Sequence, residues 1–169
     1  MDNPVVVRAA EVCADLGLAT VRFNFRGVGR STGTHGDGIA ERSDARAAID
    51  HLRSALSEEV GVALIGYSFG ALVSAHVAAG HPELAGLCLI APPLARGTLP
   101  PALSTWHKPF SIAVGTRDEY CPAAALDALA RTFPDAGVTT VDGANHFFFG
   151  KLFPLGEVIA TWARATFAR

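Results

Sequence analysis

The chain is expected to fold as an α/β three-layer sandwich, a mostly parallel sheet of about five strands with helices on both faces. Three observations lead there. Strand-length apolar runs alternate with helix-length amphipathic segments along all 169 residues, the pattern that parallel crossover units require. The run Val62 to Ile65 turns through Gly66-Tyr67-Ser68-Phe69-Gly70 into a small-residue helix. An aspartate and a histidine then follow the ends of two later strands.

The elements follow in order. Asn3 before Pro4 forms an N-cap and first-turn pair, because the cap side chain accepts an orphan N–H and proline has none to lose. A helix then places Val6, Ala10, Cys13 and Leu16 on one face and stops at Gly17. The first strand is Leu18 to Phe25. Arg26 to Gly33 is a turn-rich loop whose glycines lack the spacing, and the later acidic residue, of a dinucleotide fingerprint. Ile39, Ala45, Ile49, Leu52 and Leu56 mark a second helix, with Arg46 and Asp50 on its wet side.

The strand at about Val60 to Gly66 feeds the helix that carries Leu72, Val73, Ala75 and Ala78, and Gly80 ends it. Strand Gly86 to Ala91 leads into Pro92-Pro93, and strand Phe110 to Gly115 into Thr116-Arg117-Asp118. The connection Leu94 to Pro109 is too short for a separate lid domain, so the cleft is expected to be open. A helix begins near Pro122 with Leu126 and Leu129, Gly137 to Val141 forms the last strand, and a helix near Leu152 to Phe167 turns Leu155, Val158, Ile159 and Trp162 to the core.

Composition bounds the function. Length predicts a single domain, residues 1–169, and the formal net charge of -2 offers no electrostatic footprint for nucleic acid or an anionic membrane. Cys13, Cys88 and Cys121 lack metal-ligand or disulfide spacing and read as reduced thiols. Met1 to Pro4 does not open a signal or transit peptide. No apolar stretch reaches the length of a membrane span, and the cytoplasm is the expected location. Neither a metal nor an organic cofactor is implied.

Gly-x-Ser-x-Gly between a strand and a helix is a nucleophile elbow, which lifts the serine above the sheet edge and makes Ser68 the candidate nucleophile. A serine hydroxyl needs a base within hydrogen-bond reach and a third group to orient that base. Loops at the carboxyl ends of parallel strands converge on one crevice, so Ser68, Asp118 and His146 can meet although far apart in sequence. His146 is preferred over His35 and His107, in loops, and over His51, His76 and His81, in or just after helices. Asp118 is preferred as the acid over Glu119, with Asp142 as a rival because it lies close to His146 in sequence. The backbone N–H of Phe69, next after the nucleophile, is the expected oxyanion donor. The aromatic trio Phe147 to Phe149 either lines an apolar pocket or packs in the core.

With the elbow, Asp118 and His146 in that order, the chain resembles the α/β-hydrolase superfamily. It is most similar to the small lidless bacterial group related to dienelactone hydrolases. Phe23 to Ser31 is similar to that group's segment after its fourth strand. Asp118 to Pro122 and Asn145 to Phe148 match its acid and histidine loops. The resemblance spans essentially the whole chain and implies a serine hydrolase acting on small carboxylic esters or lactones through an acyl-enzyme. It also implies that the chain begins at the family's first helix, without three earlier strands and the loop that gives the second oxyanion N–H.

Five strands are then expected, with Leu18 to Phe25 shifted beside Val60 to Gly66, and an exposed apolar edge that favours a homodimer. A small acyl substrate is the expected ligand. The competing function is a hydrolase-fold binding or scaffold protein that kept its triad and lost its oxyanion loop.

Overall fold

The computed structural model describes residues 1–57 and 59–168. Its four strands are β1 (Ala63–Tyr67), β2 (Gly86–Ile90), β3 (Phe110–Gly115) and β4 (Gly137–Val141). They form one fully parallel sheet in the order β1-β2-β3-β4. Five helices surround it: α1 (Pro4–Asp15), α2 (Glu41–Leu56), α3 (Phe69–Ala79), α4 (Ala123–Thr132) and α5 (Leu152–Phe167).

Two-residue periodicity divides the core into layers. Leu87 and Leu89 of β2 and Ile112 and Val114 of β3 point to the face covered by α2, α3 and α4, where Ile49, Val73 and Leu129 are buried. Cys88, Ile90 and Ala113 point the other way, against Val5, Val12, Leu155 and Ile159 of α1 and α5. Both central strands are buried along their whole length, as expected of parallel strands covered on both faces.

The helix signals acted locally as physical chemistry requires. Asn3 Oδ1 accepts the Val5 N–H at 3.0 Å, and Gly17 takes a φ of 78° just past the end of α1. The buried stripe of α1 differs from the expected one: Val5, Ala9, Val12 and Cys13 face the core, while Val6, Ala10 and Leu16 are half-buried. Its packing on α5 rotates the helix by about one residue, about 100°, which local periodicity could not specify. The connection after β2 contains a short 3-10 turn, Pro101–Thr105, and buries Leu99, Leu103 and Trp106.

The expected strand Leu18 to Phe25 is absent, so the sheet has four strands and not five. This segment runs as exposed irregular chain, with Val21 and Phe23 41% and 36% accessible. It is tied to α2 and α3 instead of to β1. The Arg26 N–H donates to Asp44 Oδ2 at 3.0 Å and Arg26 Nη2 to Asp44 Oδ1 at 2.7 Å. Phe25 packs edge-on against Phe69, with centroids 5.5 Å apart. A groove of about 1010 Å³ separates the segment from β1. A strand is defined by its partner, and alternating Val21, Phe23 and Phe25 supply only the propensity.

Candidate active site

Ser68 sits where β1 breaks into α3, at φ 53° and ψ −120°. Such a conformation costs a non-glycine residue of the order of 1–3 kcal/mol and persists only where its surroundings enforce it. Here they do so on both sides. The Ser68 N–H donates to Ile90 O at 2.9 Å, and the Ala71 N–H to Ser68 O at 2.9 Å. Gly66 passes so close to α3 that a β-carbon there would stand 2.7 Å from both Ala71 Cα and Ser74 Oγ.

Two other strand ends bring up the partners. Thr116 N–H donates to Val141 O at 3.1 Å and Arg117 N–H to Ala144 O at 2.9 Å, joining the loop after β3 to the loop after β4. That clasp places Asp118 beside His146. His146 Nδ1 lies 3.0 Å and 3.1 Å from the two Asp118 oxygens, and His146 Nε2 lies 2.8 Å from Ser68 Oγ. Asp118 and His146 are both buried. All three residues singled out in the sequence therefore meet in one hydrogen-bonded line.

Asp142, the rival acid, is exposed and turned away: Thr116 Oγ1 donates to its Oδ1 at 3.5 Å. Adjacency in sequence did not bring it to the imidazole, because Gly143, with φ of 68°, reverses the chain between them. Phe69 opens α3, and the N–H of a first helical residue has no partner inside its helix. The aromatic trio divides its labour. Phe148 is fully buried, Phe147 is half-exposed and lines the cleft, and Phe149 is 70% exposed.

Two tyrosines in the site escaped the sequence reading. Tyr67 donates from its hydroxyl to His146 O at 3.2 Å, and burial, with the nearby Asp118 charge, pushes its phenol up to about 12. Tyr120 donates its N–H to Asp118 Oδ1 at 2.9 Å, while its ring lies 4.6 Å from the His146 ring. The signal was adjacency to the predicted site, one residue before Ser68 and two after Asp118. Burial and the Asp118 charge also push the Cys121 thiol up to about 12, which keeps it protonated and unreactive. Among the described residues no group of side chains could hold a metal ion, and no helix is long and apolar enough to cross a membrane.

A cleft of about 570 Å³ opens over Ser68 and His146, walled by Phe69, Leu72, Val73 and Phe147, within the range of small-molecule sites.

Known proteins carry the same architecture. The family model described as serine aminopeptidase, S33, matches residues 5–108. An uncharacterized protein of Rickettsia prowazekii is 36% identical over 94% of this chain and 70% of its own length. An α/β serine hydrolase homologue from Coxiella burnetii is 33% identical, with a TM-score of 0.84 over 95% of this chain and 76% of that one. A lidless α/β serine hydrolase from Xanthomonas campestris is 31% identical, with a TM-score of 0.83 over 97% and 74%. A parallel sheet with a strained serine at its edge, joined to a family match over more than half the chain, makes this protein a member of that serine-hydrolase family of the α/β-hydrolase superfamily.

Proposed function

We infer that the protein hydrolyses small carboxylic esters or lactones through an acyl-enzyme on Ser68. The observation that carries this is the unbroken line Ser68 Oγ, His146 Nε2, His146 Nδ1, Asp118 at hydrogen-bond distances, opening on a substrate-sized cleft.

Each part has a role that its position supports. Ser68 Oγ attacks the ester carbonyl while His146 Nε2 takes its proton. The negative charge of Asp118 holds the Nδ1–H tautomer and stabilises the imidazolium that forms. As the tetrahedral intermediate collapses, His146 returns the proton to the departing alkoxide, leaving Ser68 acylated. Water, deprotonated by His146, attacks the acyl carbon and restores the hydroxyl. The Phe69 N–H, pointing out of the first turn of α3, supplies one oxyanion donor.

A fluorophosphonate probe tests the nucleophile. Ser68 is expected to be labelled, and the Ser68→Ala variant to remain unlabelled. Hydrolysis of p-nitrophenyl acetate above the Ser68→Ala background then separates a catalyst from a hydrolase-fold scaffold. Equal labelling of both proteins would remove Ser68 from the mechanism.

A further inference from the structure

Tyr67 stands immediately before the nucleophile, and no hydrolytic step set out above uses its side chain. Side chains alternate across a sheet. Gly66 faces α3, so Tyr67 turns to the opposite layer, where it packs with the residues of α1 and α5. From there it reaches behind the histidine. Its hydroxyl donates to His146 O at 3.2 Å, and its ring centroid stands 5.6 Å from that of the imidazole. Ser68, Tyr120 and His146 wall the cleft, but Tyr67 is not among the lining residues and borders the groove beside β1 instead.

The turn that carries His146 is closed by bonds of its own. The Phe147 N–H donates to Asn145 Oδ1 at 3.1 Å, and the Phe148 N–H to Asn145 O at 3.0 Å. Such bonds shape the turn without placing it on the sheet. Among the described residues, two backbone carbonyls between Ala144 and Gly150 accept donors from other elements. Ala144 O takes the Arg117 N–H at 2.9 Å, from the loop that carries Asp118. His146 O takes the Tyr67 hydroxyl, from the strand that leads to Ser68, and among the described residues it accepts no other donor.

Each tie therefore sets a different distance. The Ala144 bond fixes the base relative to the acid, and the Tyr67 bond fixes it relative to the nucleophile. Tyr67 and Ser68 share a trans peptide, whose Cα atoms stand about 3.8 Å apart. A histidine backbone gripped by the Tyr67 hydroxyl is thus held in register with Ser68 Oγ, which lies 2.8 Å from His146 Nε2. Burial and the Asp118 charge push the phenol up to about 12, so it keeps the proton that it donates at neutral pH.

We propose that Tyr67 is a positioning residue whose hydroxyl, bonded to His146 O, holds the imidazole Nε2 at the Ser68 hydroxyl, while the Arg117 bond to Ala144 separately holds the histidine at its acid. This role rests on the hydrolase reading given above.

Tyr67→Phe tests it, because the ring stays and only the donor is removed. With phenyl acetate, kcat is expected to fall by about tenfold, short of the hundredfold that a misplacement of about 1 Å brings. KM should stay within about twofold, since the cleft wall is untouched. 4-Aminophenylalanine at position 67, whose amine N–H can reach the same carbonyl, should restore kcat. The proton on His146 Nδ1, seen by NMR far downfield through its bond to Asp118, should persist in Tyr67→Phe. If that variant does not fold, 4-fluorophenylalanine at the same position, which fills the space of the hydroxyl without donating, carries the same measurements.

An unchanged kcat, a loss that falls on KM, or disappearance of the Nδ1 proton together with activity overturns the positioning role and leaves the hydrolase intact. If the wild-type chain turns over no ester, the hydrolase reading fails and the nitrogen NMR resonance of His146 Nε2 decides for Tyr67. That resonance should differ between wild type and Ser68→Ala, which lacks the hydroxyl partner, and Tyr67→Phe should move it toward the Ser68→Ala position. Coincidence of Tyr67→Phe with wild type, or of wild type with Ser68→Ala, overturns the positioning role as well.

Discussion

Gly115 and Ala144 touch backbone to backbone. A β-carbon at position 115 would overlap the Ala144 carbonyl and stand 3.0 Å from Ala144 Cβ. The same carbonyl accepts the Arg117 N–H at 2.9 Å. One peptide of the loop after β4 therefore fixes both the end of β3, which carries Asp118, and the turn that carries His146.

Gly115→Ala should consequently harm catalysis beyond its effect on folding. Overpacking of this kind destabilises by about 1–3 kcal/mol, visible as a lower thermal midpoint. The displaced loops should also slow turnover by about a hundredfold, since misplacement of about 1 Å has that effect on positioned groups. Fluorophosphonate labelling of the folded fraction at the wild-type rate would disprove the coupling.

The two glycines of the elbow should respond unequally. A β-carbon at Gly66 would overlap α3, whereas one at Gly70 meets Phe25 Cε2 at 3.6 Å, an ordinary contact. Gly66→Ala should cost about 1–3 kcal/mol by overpacking. Gly70→Ala, inside α3, should be neutral or gain up to about 1 kcal/mol of helix propensity. Urea denaturation of the two variants checks the order, and equal midpoints would show that the elbow relaxes.

Asp118→Asn and Asp142→Asn separate the two acids. Loss of the Asp118 charge leaves the His146 tautomer unsupported, and turnover should fall by about 10⁴, as triads of this kind do. Asp142, exposed and bonded to Thr116, should be replaceable with a change of no more than about twofold, the scale of an exposed charge. Comparable losses in both variants, measured as phenyl ester hydrolysis, would contradict the geometry.

What the sequence could convey depended on how local each cause is. Gly86 and Phe110 open their strands where the apolar runs begin, because burial on both sheet faces, complete along β2 and β3, writes itself into composition. Ser68, Asp118 and His146 were legible because the carboxyl ends of parallel strands converge whatever side chains lie between. Leu18 to Phe25 misled because pairing is a property of two segments. Glu41 was missed because an acid at the start of a helix normally faces water, and its burial follows from a loop that folds back over it.

Glu41 is that loop's anchor. Fully buried, it accepts the Gly36 N–H at 2.5 Å and the Gly38 N–H at 3.0 Å, and lies 3.2 Å from His35 Nδ1. The Gly36 N–H bond first, with those of Gly38 and its own backbone and the His35 charge, holds its carboxyl below the usual range against the opposing effect of burial. A group whose folded pKa is depressed stabilises the fold above its unfolded value and loses that contribution as pH falls through the folded one. Asp44, lowered chiefly by its hydrogen bond from Arg26, fades in the same direction and loosens the same loop. Glu41→Gln keeps one acceptor but turns an amide N–H toward the second backbone donor, so the variant should melt below wild type at neutral pH. That difference should shrink once the pH drops under about 4, the ordinary carboxylate range, because the wild-type side chain then becomes neutral too. Because Asp37 and Gly38 of this loop line the cleft, ester hydrolysis should weaken along with the melting temperature. A gap between variant and wild type that stays constant down to about pH 3 would mean that the Glu41 charge does not hold the loop.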